Sequence, residues 1–226
     1  MSYVSAIVLA AGRGERFQSK IPKLLASIAK KPIIIYSLEA LSRHPSVKDI
    51  VVVVSPKNSR QITRLIKQYR IGKIVRVVKG GLRRQDSLGN GLKAINSRTD
   101  LVLVHDAARP FIDRELISSV ISKANRKGAA VVGVPVKATI KKASGNLVEK
   151  TIERKNLWEI QTPQVFSKDL ILKAHKRFSS TDVTDDAMLV EKMGAKVSLV
   201  QGSYNNIKIT TPEDLVIAEA IARKVR

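Results

Sequence analysis

The feature that most constrains the fold is a series of short, almost purely aliphatic runs separated by longer amphipathic ones. Residues 50–54 and 101–104 consist only of Ile, Leu and Val. Runs of this length without polar alternation are typical of strands that are covered on both faces, as in a parallel sheet. The sequence therefore predicts an α/β fold with a Rossmann-like, mostly parallel, doubly wound sheet.

The same alternation extends along the chain, which is predicted to be one domain over residues 1–226. Strands are predicted at 4–10, 49–55, 73–78, 101–105, 129–135 and 196–201, and helices at about 32–43, 60–69, 84–95, 113–127, 168–178, 185–193 and after 211–214. Residues 139–148 differ, because two short strands meet at Ser144-Gly145-Asn146. This hairpin pattern predicts a β-arm at about 136–152 that projects from the sheet.

The composition limits the partners. Of the 226 residues, 41 are Lys or Arg and 19 are Asp or Glu, so the formal charge is +22. Such a charge predicts attraction to polyanions. The cations are spread along the chain without forming a tail or stripe, and only 4% of residues are aromatic, so stacking platforms for single strands are scarce. A nucleic acid, a phosphorylated small substrate and a merely solvated surface all remain open.

Other partners and sites are disfavoured. No apolar run approaches the roughly 20 residues of a membrane helix, and residues 1–5 lack the features of a secretory signal. The absence of Cys excludes thiolate nucleophiles and thiolate metal ligands. These observations predict a cytoplasmic protein with no membrane partner.

The stretch that follows the first predicted strand is rich in glycine and cations. Gly12, Gly14 and Arg16 are followed closely by Lys23. Glycines let backbone N–H groups approach an anion, Arg offers a planar fork, and Lys offers a point charge. This pattern predicts a phosphate-binding loop, and it also fits an ordinary strand-to-helix turn with surface cations.

Further strand ends favour the first interpretation, because ligands of open α/β sheets bind at the carboxyl ends of the strands. The candidates there are Gly80, Gly81, Arg84, Ser87, Asp106, Arg109, Thr139 and Lys208, the last in a run at 206–210 that is interpreted as another strand end. Asp106 suits Mg²⁺, which prefers hard oxygen ligands. His105 is interpreted as a structural residue, since the chemistry of such a site needs no general base.

Several motifs then appear in one order. They are Ala10-Ala11-Gly-Arg-Gly-Glu-Arg16 with Pro22-Lys23, Gly80-Gly81-x-x-Arg84-x-x-Ser87, His105-Asp-Ala-Ala-Arg-Pro110, Arg154-x-x-Leu-Trp158-x-x-Gln-Thr-Pro-Gln164, Thr184-Asp-Asp186 and Asn206-Ile-Lys208-Ile-Thr210. From about residue 5 to 222 the chain resembles the cytidylyltransferase family of the non-mevalonate isoprenoid pathway, within the nucleotidyltransferase superfamily.

The resemblance implies transfer of a cytidylyl group from CTP to 2-C-methyl-D-erythritol 4-phosphate, with Mg²⁺ or another divalent cation. The products would be 4-diphosphocytidyl-2-C-methylerythritol and pyrophosphate. The implied roles are catalysis by Arg16, Lys23, Arg154 and Lys208, nucleotide binding by Ala10, Ala11, Gly12, Gly14, Gly80, Gly81, Arg84 and Ser87, and substrate binding by Asp106, Arg109, Thr139, Thr162 and Thr184, with Asp106 also facing the metal. The β-arm would join a homodimer.

One residue departs from the family pattern. Leu82 follows the glycine pair where relatives often carry a polar or acidic residue, which leaves base selectivity open. Two other functions remain as alternatives. The first is the reaction of a sister family, which uses ribitol 5-phosphate. The second, more remote alternative is a basic nucleic-acid-binding protein, which the charge of +22 would suit. The main prediction is an enzyme of phosphorylated small molecules without a nucleic-acid partner.

Overall fold

The computed structural model describes residues 2–12, 14–19 and 21–224. Its strands are β1 (Val4–Ala10), β2 (Ser27–Ile28), β3 (Lys31–Pro32), β4 (Val47–Val54), β5 (Ile74–Lys79), β6 (Leu101–Asp106), β7 (Ala129–Pro135), β8 (Ile140–Ser144), β9 (Leu147–Ile152), β10 (Trp158–Ser167) and β11 (Ser198–Gln201). Seven of them form one sheet in the order β11-β7-β10-β6-β1-β4-β5. All neighbours in it are parallel except β10, which runs antiparallel to β6 and β7.

Helices cover both faces of this sheet. They are α1 (Ile33–Arg43), α2 (Ser59–Gln68), α3 (Arg84–Leu92), α4 (Arg114–Lys127), α5 (Lys168–Arg177), α6 (Ala187–Lys192) and α7 (Glu213–Lys224). One hydrophobic core packs α1, α2, α4 and α7 against one face, and a second packs α3, α5 and α6 against the other. Alternate residues of β1 enter different cores, since Ala6 and Val8 belong to the first and Ile7 to the second. The predicted doubly wound, mostly parallel sheet is confirmed.

One prediction of a strand is wrong, and one strand of the sheet was missed. The run at 206–210 is not a strand; it is an irregular segment held to β6's following turn by the Ile209 N–H, which donates to the Ala108 carbonyl at 2.9 Å. Strand β10 was not predicted, because Glu159, Gln161 and Gln164 interrupt any aliphatic run. This strand is the antiparallel member of the sheet, and its first half lies at the carboxyl ends of β6 and β7.

The predicted β-arm is present as a separate two-stranded sheet of β8 and β9. Gly145 makes the turn with a φ of 54°, a left-handed conformation that glycine adopts without steric cost. Nearly all residues of both strands are exposed, including Leu147 at 78% and Val148 at 62%. The arm thus has no hydrophobic core of its own.

Within the described ranges, no helix has the length and hydropathy that a membrane crossing requires.

Candidate active site

Two glycine turns line the carboxyl edge of the sheet, after β1 and after β5. A Cβ added to Gly80 would lie 2.2 Å from the Ala11 Cβ, so only glycine lets the two turns approach this closely. The Ser87 hydroxyl accepts a hydrogen bond from the Gly81 N–H at 3.1 Å and donates one to the Arg83 carbonyl at 3.2 Å. Ser87 therefore fixes the second turn from within the protein, where it is 4% exposed.

The turn after β1 is held by a buried aromatic residue and exposes a cation beside it. Gly14 adopts a φ of 68° and precedes a short 3₁₀ helix at Glu15–Phe17. Phe17 is buried in the first core, while the neighbouring Arg16 is exposed. A Cβ added to Gly12 would meet no atom of the described residues within 4 Å. Lys23 begins a second 3₁₀ helix and is half-buried.

An ion group centred on Asp106 lies at the end of β6. Its carboxylate accepts from the Lys208 Nζ at 2.6 Å and from the Arg84 guanidinium at 3.4 Å, and Arg84 also reaches Asp186 at 2.5 Å. Burial alone would raise the pKa of Asp106, but Arg84 and Lys208 outweigh it and hold that pKa well below its usual range. The carboxylate is therefore ionised at neutral pH.

Lys23 adds a further positive charge at the carboxyl edge of the sheet, near Lys208 and Arg16. Burial lowers its pKa most, and the positive charges of Lys208 and Arg16 lower it further, while Asp106 acts in the opposite direction. Like charges held together with one carboxylate between them favour an anionic ligand, because the anion offsets their mutual repulsion. The edge is thus built to hold a polyanion.

A chain of buried hydrogen bonds positions Asp106 from behind. The Asp106 N–H donates to the Thr162 hydroxyl at 3.0 Å, and this hydroxyl lies 3.0 Å from the His105 Nδ1. The His105 Nε2 lies 3.1 Å from the Arg109 carbonyl, which can only accept. The Nε2 therefore carries the proton, and the Thr162 hydroxyl donates to Nδ1. Burial lowers the pKa of His105 to about 4, so the ring is neutral. The structural interpretation of His105 is confirmed.

Arg109 holds the segment that carries Lys208. Its guanidinium donates to the Asn206 carbonyl at 2.7 Å and to the Ile160 carbonyl at 3.4 Å, and the side chain is buried. The Asn206 amide in turn donates to the Thr162 carbonyl at 2.9 Å. These bonds dock the irregular segment onto β10. Arg109 and Thr162 thus act within the protein in this conformation, and their predicted contact with substrate stays a prediction.

The remaining predicted residues fall into two groups. Ala10 is buried at the end of β1, beside the glycine turns. Thr139, Arg154 and Thr184 are exposed, and no hydrogen bond or ion pair within the described ranges connects them to Asp106. Thr139 precedes β8 and Arg154 follows β9, so both flank the β-arm. Sequence reasoning missed Asp186 and Asn206 as partners of the site, although both stand within motifs that were noted.

A glycine-lined sheet edge with cations grouped around one ionised carboxylate defines the class of the protein: an α/β enzyme of phosphorylated substrates. Comparison with known protein families identifies the family within this class. The family model of 2-C-methyl-D-erythritol 4-phosphate cytidylyltransferase (IspD) matches residues 4–224. The chain belongs to this family, and the resemblance drawn from the motifs is confirmed.

Individual relatives agree with this assignment. The chain is 45% identical over 225 residues to the 2-C-methyl-D-erythritol 4-phosphate cytidylyltransferase of Caldanaerobacter subterraneus subsp. tengcongensis, covering 98% of this chain and 99% of the relative. Among solved structures, 4-diphosphocytidyl-2C-methyl-D-erythritol synthase from Anaerococcus prevotii superposes with a TM-score of 0.86 at 32% identity, covering 98% and 96% of the two chains. The cytidylyltransferase from Thermus thermophilus gives 0.79 at 32% identity, covering 99% and 100%.

Proposed function

We propose that the chain transfers a cytidylyl group from CTP to 2-C-methyl-D-erythritol 4-phosphate. The observation that carries the proposal is the ion group of Asp106, Lys208 and Arg84 beside two glycine turns, in a chain of this family. A phosphate oxygen of the methylerythritol phosphate attacks the α-phosphorus of CTP and forms a new P–O bond. The bond from the α-phosphorus to the bridging oxygen breaks, and pyrophosphate leaves with the electron pair.

The reaction needs no general base from the protein. The second pKa of a phosphate monoester is about 6, so the nucleophile is largely dianionic at neutral pH. This agrees with a neutral His105 whose two ring nitrogens are both engaged inside the protein. The difficulty is the approach of two polyanions, which calls for fixed positive charge and in-line positioning.

The cations divide between the two substrates. Arg16 and Lys23 follow the first glycine turn and would stabilise charge on the triphosphate. Lys208 and Arg154 would orient the attacking phosphate, with Lys208 already held 2.6 Å from Asp106. The second turn, at Gly80, would contact the nucleoside through its backbone.

The residues also fit a divalent cation that is bound largely by the nucleotide. Within the described ranges, no group of three or more His, Cys, Asp or Glu side chains forms a cage. Asp106 supplies one ionised carboxylate at the edge, and Mg²⁺ commonly uses one or two carboxylates plus substrate phosphates. When bound, the metal would add charge neutralisation at the triphosphate, and Asp106 would hold it.

A homodimer joined through the β-arm is the second part of the proposal. The arm exposes Leu147 and Val148, while Thr139 and Arg154 at its base form no hydrogen bond or ion pair with the Asp106 group among the residues that the structure describes. In a symmetric dimer the arm would carry these two residues to the site of the second copy. The site would then be shared between subunits.

Complementation tests the shared site. Arg154→Ala and Lys208→Ala variants should each be nearly inactive, and an equimolar mixture after subunit exchange should recover about a quarter of wild-type activity, because half of the dimers are mixed and each has one intact site. A mixture that stays inactive, with mixed dimers verified by mass spectrometry, would contradict a site shared in this way.

The reaction itself is tested with purified protein, CTP and each of two polyol phosphates. Pyrophosphate release should require both CTP and 2-C-methyl-D-erythritol 4-phosphate. Faster turnover with ribitol 5-phosphate would assign the chain to the alternative reaction. Replacing CTP by UTP or ATP tests base selectivity beside Leu82, which is 86% exposed. A cytoplasmic location stays a prediction.

A further inference from the structure

One segment carries a large share of the net positive charge because it contains no acidic residue. Residues 50–85 contain ten of the 41 Lys and Arg residues and none of the 19 Asp and Glu residues. Two of the ten, Arg83 and Arg84, bind acids at the active site. The other eight are Lys57, Arg60, Arg64, Lys67, Arg70, Lys73, Arg76 and Lys79, and all of them are exposed. The seven other than Arg76 form what we call the basic face, which comprises the turn before α2, α2 itself, the turn between α2 and β5, and Lys79 in β5.

Helix α2 arranges part of this charge as a stripe. Arg60, Arg64 and Lys67 follow at intervals of four and three, so they project from one side of the helix. Ile62 and Ile66 face the other side and are buried in the core. None of the three cations takes part in an ion pair among the residues that the structure describes. Like charges three or four positions apart destabilise a helix slightly, so the row of cations does not serve the stability of α2.

The basic face continues along an edge of the sheet. Strand β5 is the last strand in the order of the sheet, and it exposes Lys79 on the side that α2 covers, because Lys79 pairs with Val54 of the first core. Arg76 is also exposed, but it pairs with Val51 of the second core and lies on the other side of the sheet. This edge is distinct from the ion group of the active site, because β1 and β4 separate β5 from β6. A ligand on the basic face would therefore not need the catalytic residues.

The chemistry of the basic face selects among polyanions. A membrane-binding helix would expose an apolar side between its cations, but Ile62 and Ile66 of α2 are buried and Leu65 is partly buried. Val75 is the large hydrophobic residue exposed on β5. A single strand would need aromatic platforms, and the segment holds one aromatic residue, the partly buried Tyr69. Regularly spaced phosphates without a need for stacking are the property of a duplex.

We propose that the basic face binds duplex nucleic acid through its phosphates, without reading sequence. The even spread of cations along the sequence did not indicate a nucleic-acid partner. The row of Arg60, Arg64 and Lys67 on one side of α2 becomes apparent only in the folded helix. The affinity should fall steeply with salt, since each neutralised phosphate contributes about 0.9 to the slope of log K against log salt concentration.

The test measures the affinity of the wild type and of two triple variants for a fluorescent 20-base-pair DNA duplex. The affinity is obtained from fluorescence anisotropy between 50 and 200 mM NaCl. The first is Arg60→Gln, Arg64→Gln, Lys67→Gln. The control is Lys123→Gln, Arg126→Gln, Lys127→Gln on α4, which packs at the opposite half of the sheet and loses the same charge. Equal melting temperatures verify that both variants fold.

The α2 variant should bind at least tenfold more weakly at 100 mM NaCl, with a salt slope reduced by about 2.7. The control should stay within about twofold of wild type, since only long-range charge changes. Equal weakening in both variants, absence of binding by the wild type at 50 mM NaCl, or loss of binding on saturation with CTP would each overturn the proposal. So would binding through α2 to phosphatidylserine vesicles but not to the duplex.

Discussion

Replacement of Thr162 by Val tests whether the hydroxyl positions the site from within the protein. This side chain is 4% exposed and joins the Asp106 N–H to the His105 Nδ1, with both distances at 3.0 Å. Val has nearly the same shape, so the change removes two hydrogen bonds without opening a cavity. A buried polar group left without a partner costs about 1–3 kcal/mol. With two such groups, the free energy of unfolding should fall by about 2–6 kcal/mol.

Urea denaturation of Thr162→Val provides the measurement, with an unchanged m-value as evidence that only the folded state has altered. The control is Thr139→Val, because Thr139 is exposed and should change stability by less than about 0.5 kcal/mol. Thr139 was also predicted to bind substrate, so its variant should affect KM and not stability. A loss below about 1 kcal/mol for Thr162→Val, or an equal loss in the control, would refute the reasoning.

Three other perturbations test neighbouring features. The pKa of His105 is about 4 in the folded protein and 6.5 ordinarily, so between these pH values the unfolded chain binds a proton that the folded chain does not. The free energy of unfolding should therefore rise by about 3 kcal/mol as the pH increases from 4 to 6.5. A His105→Gln variant that shows the same pH dependence in urea titrations would contradict this. Gly80→Ala places a Cβ 2.2 Å from the Ala11 Cβ and should lower the free energy of unfolding by about 1–3 kcal/mol in thermal or urea unfolding. Gly12→Ala should not, because its Cβ meets no described atom within 4 Å. Steady-state kinetics should show a loss of turnover of about 10² or more for Lys23→Ala and impaired use of the polyol phosphate for Arg154→Ala, and unchanged kinetics in either variant would remove that residue from the site.

The aliphatic runs were sufficient to predict the parallel part of the sheet. β1 has the predicted bounds, and β4, β5, β6 and β7 lie within two residues of theirs. For β1, β4, β6 and β7 this succeeded because strands buried on both faces need apolar side chains at nearly every position. Strand β5 is the partly exposed edge strand, and its Ile and Val residues were enough to mark it. The β-arm was also predictable, since its turn residues mark a hairpin regardless of what the strands contact.

Strand β10 could not be predicted in the same way, because its polar residues are buried by bonding to other segments. The Gln161 Oε1 accepts from the Asn206 amide at 3.0 Å, and the Gln164 Oε1 accepts from the Ala187 N–H at 3.1 Å. The first bond fastens the irregular segment at 206–210 to the sheet, and the second holds the start of α6. In the sequence these glutamines resemble surface residues, since their partners lie more than 20 positions away.

The same distinction explains which site residues the sequence indicated. Residues that face the edge, such as Lys208, follow motifs that a ligand would require, and the sequence shows them directly. A residue that holds such a group in place is visible only through long-range contacts, as with Asp186, which binds Arg84 from 102 positions away. If Asp186 serves mainly to hold Arg84 beside Asp106, its removal should change the electrostatics of Asp106 before it changes any contact with substrate. A motif therefore identifies residues of the site without showing which of them face a ligand and which of them hold the others in place.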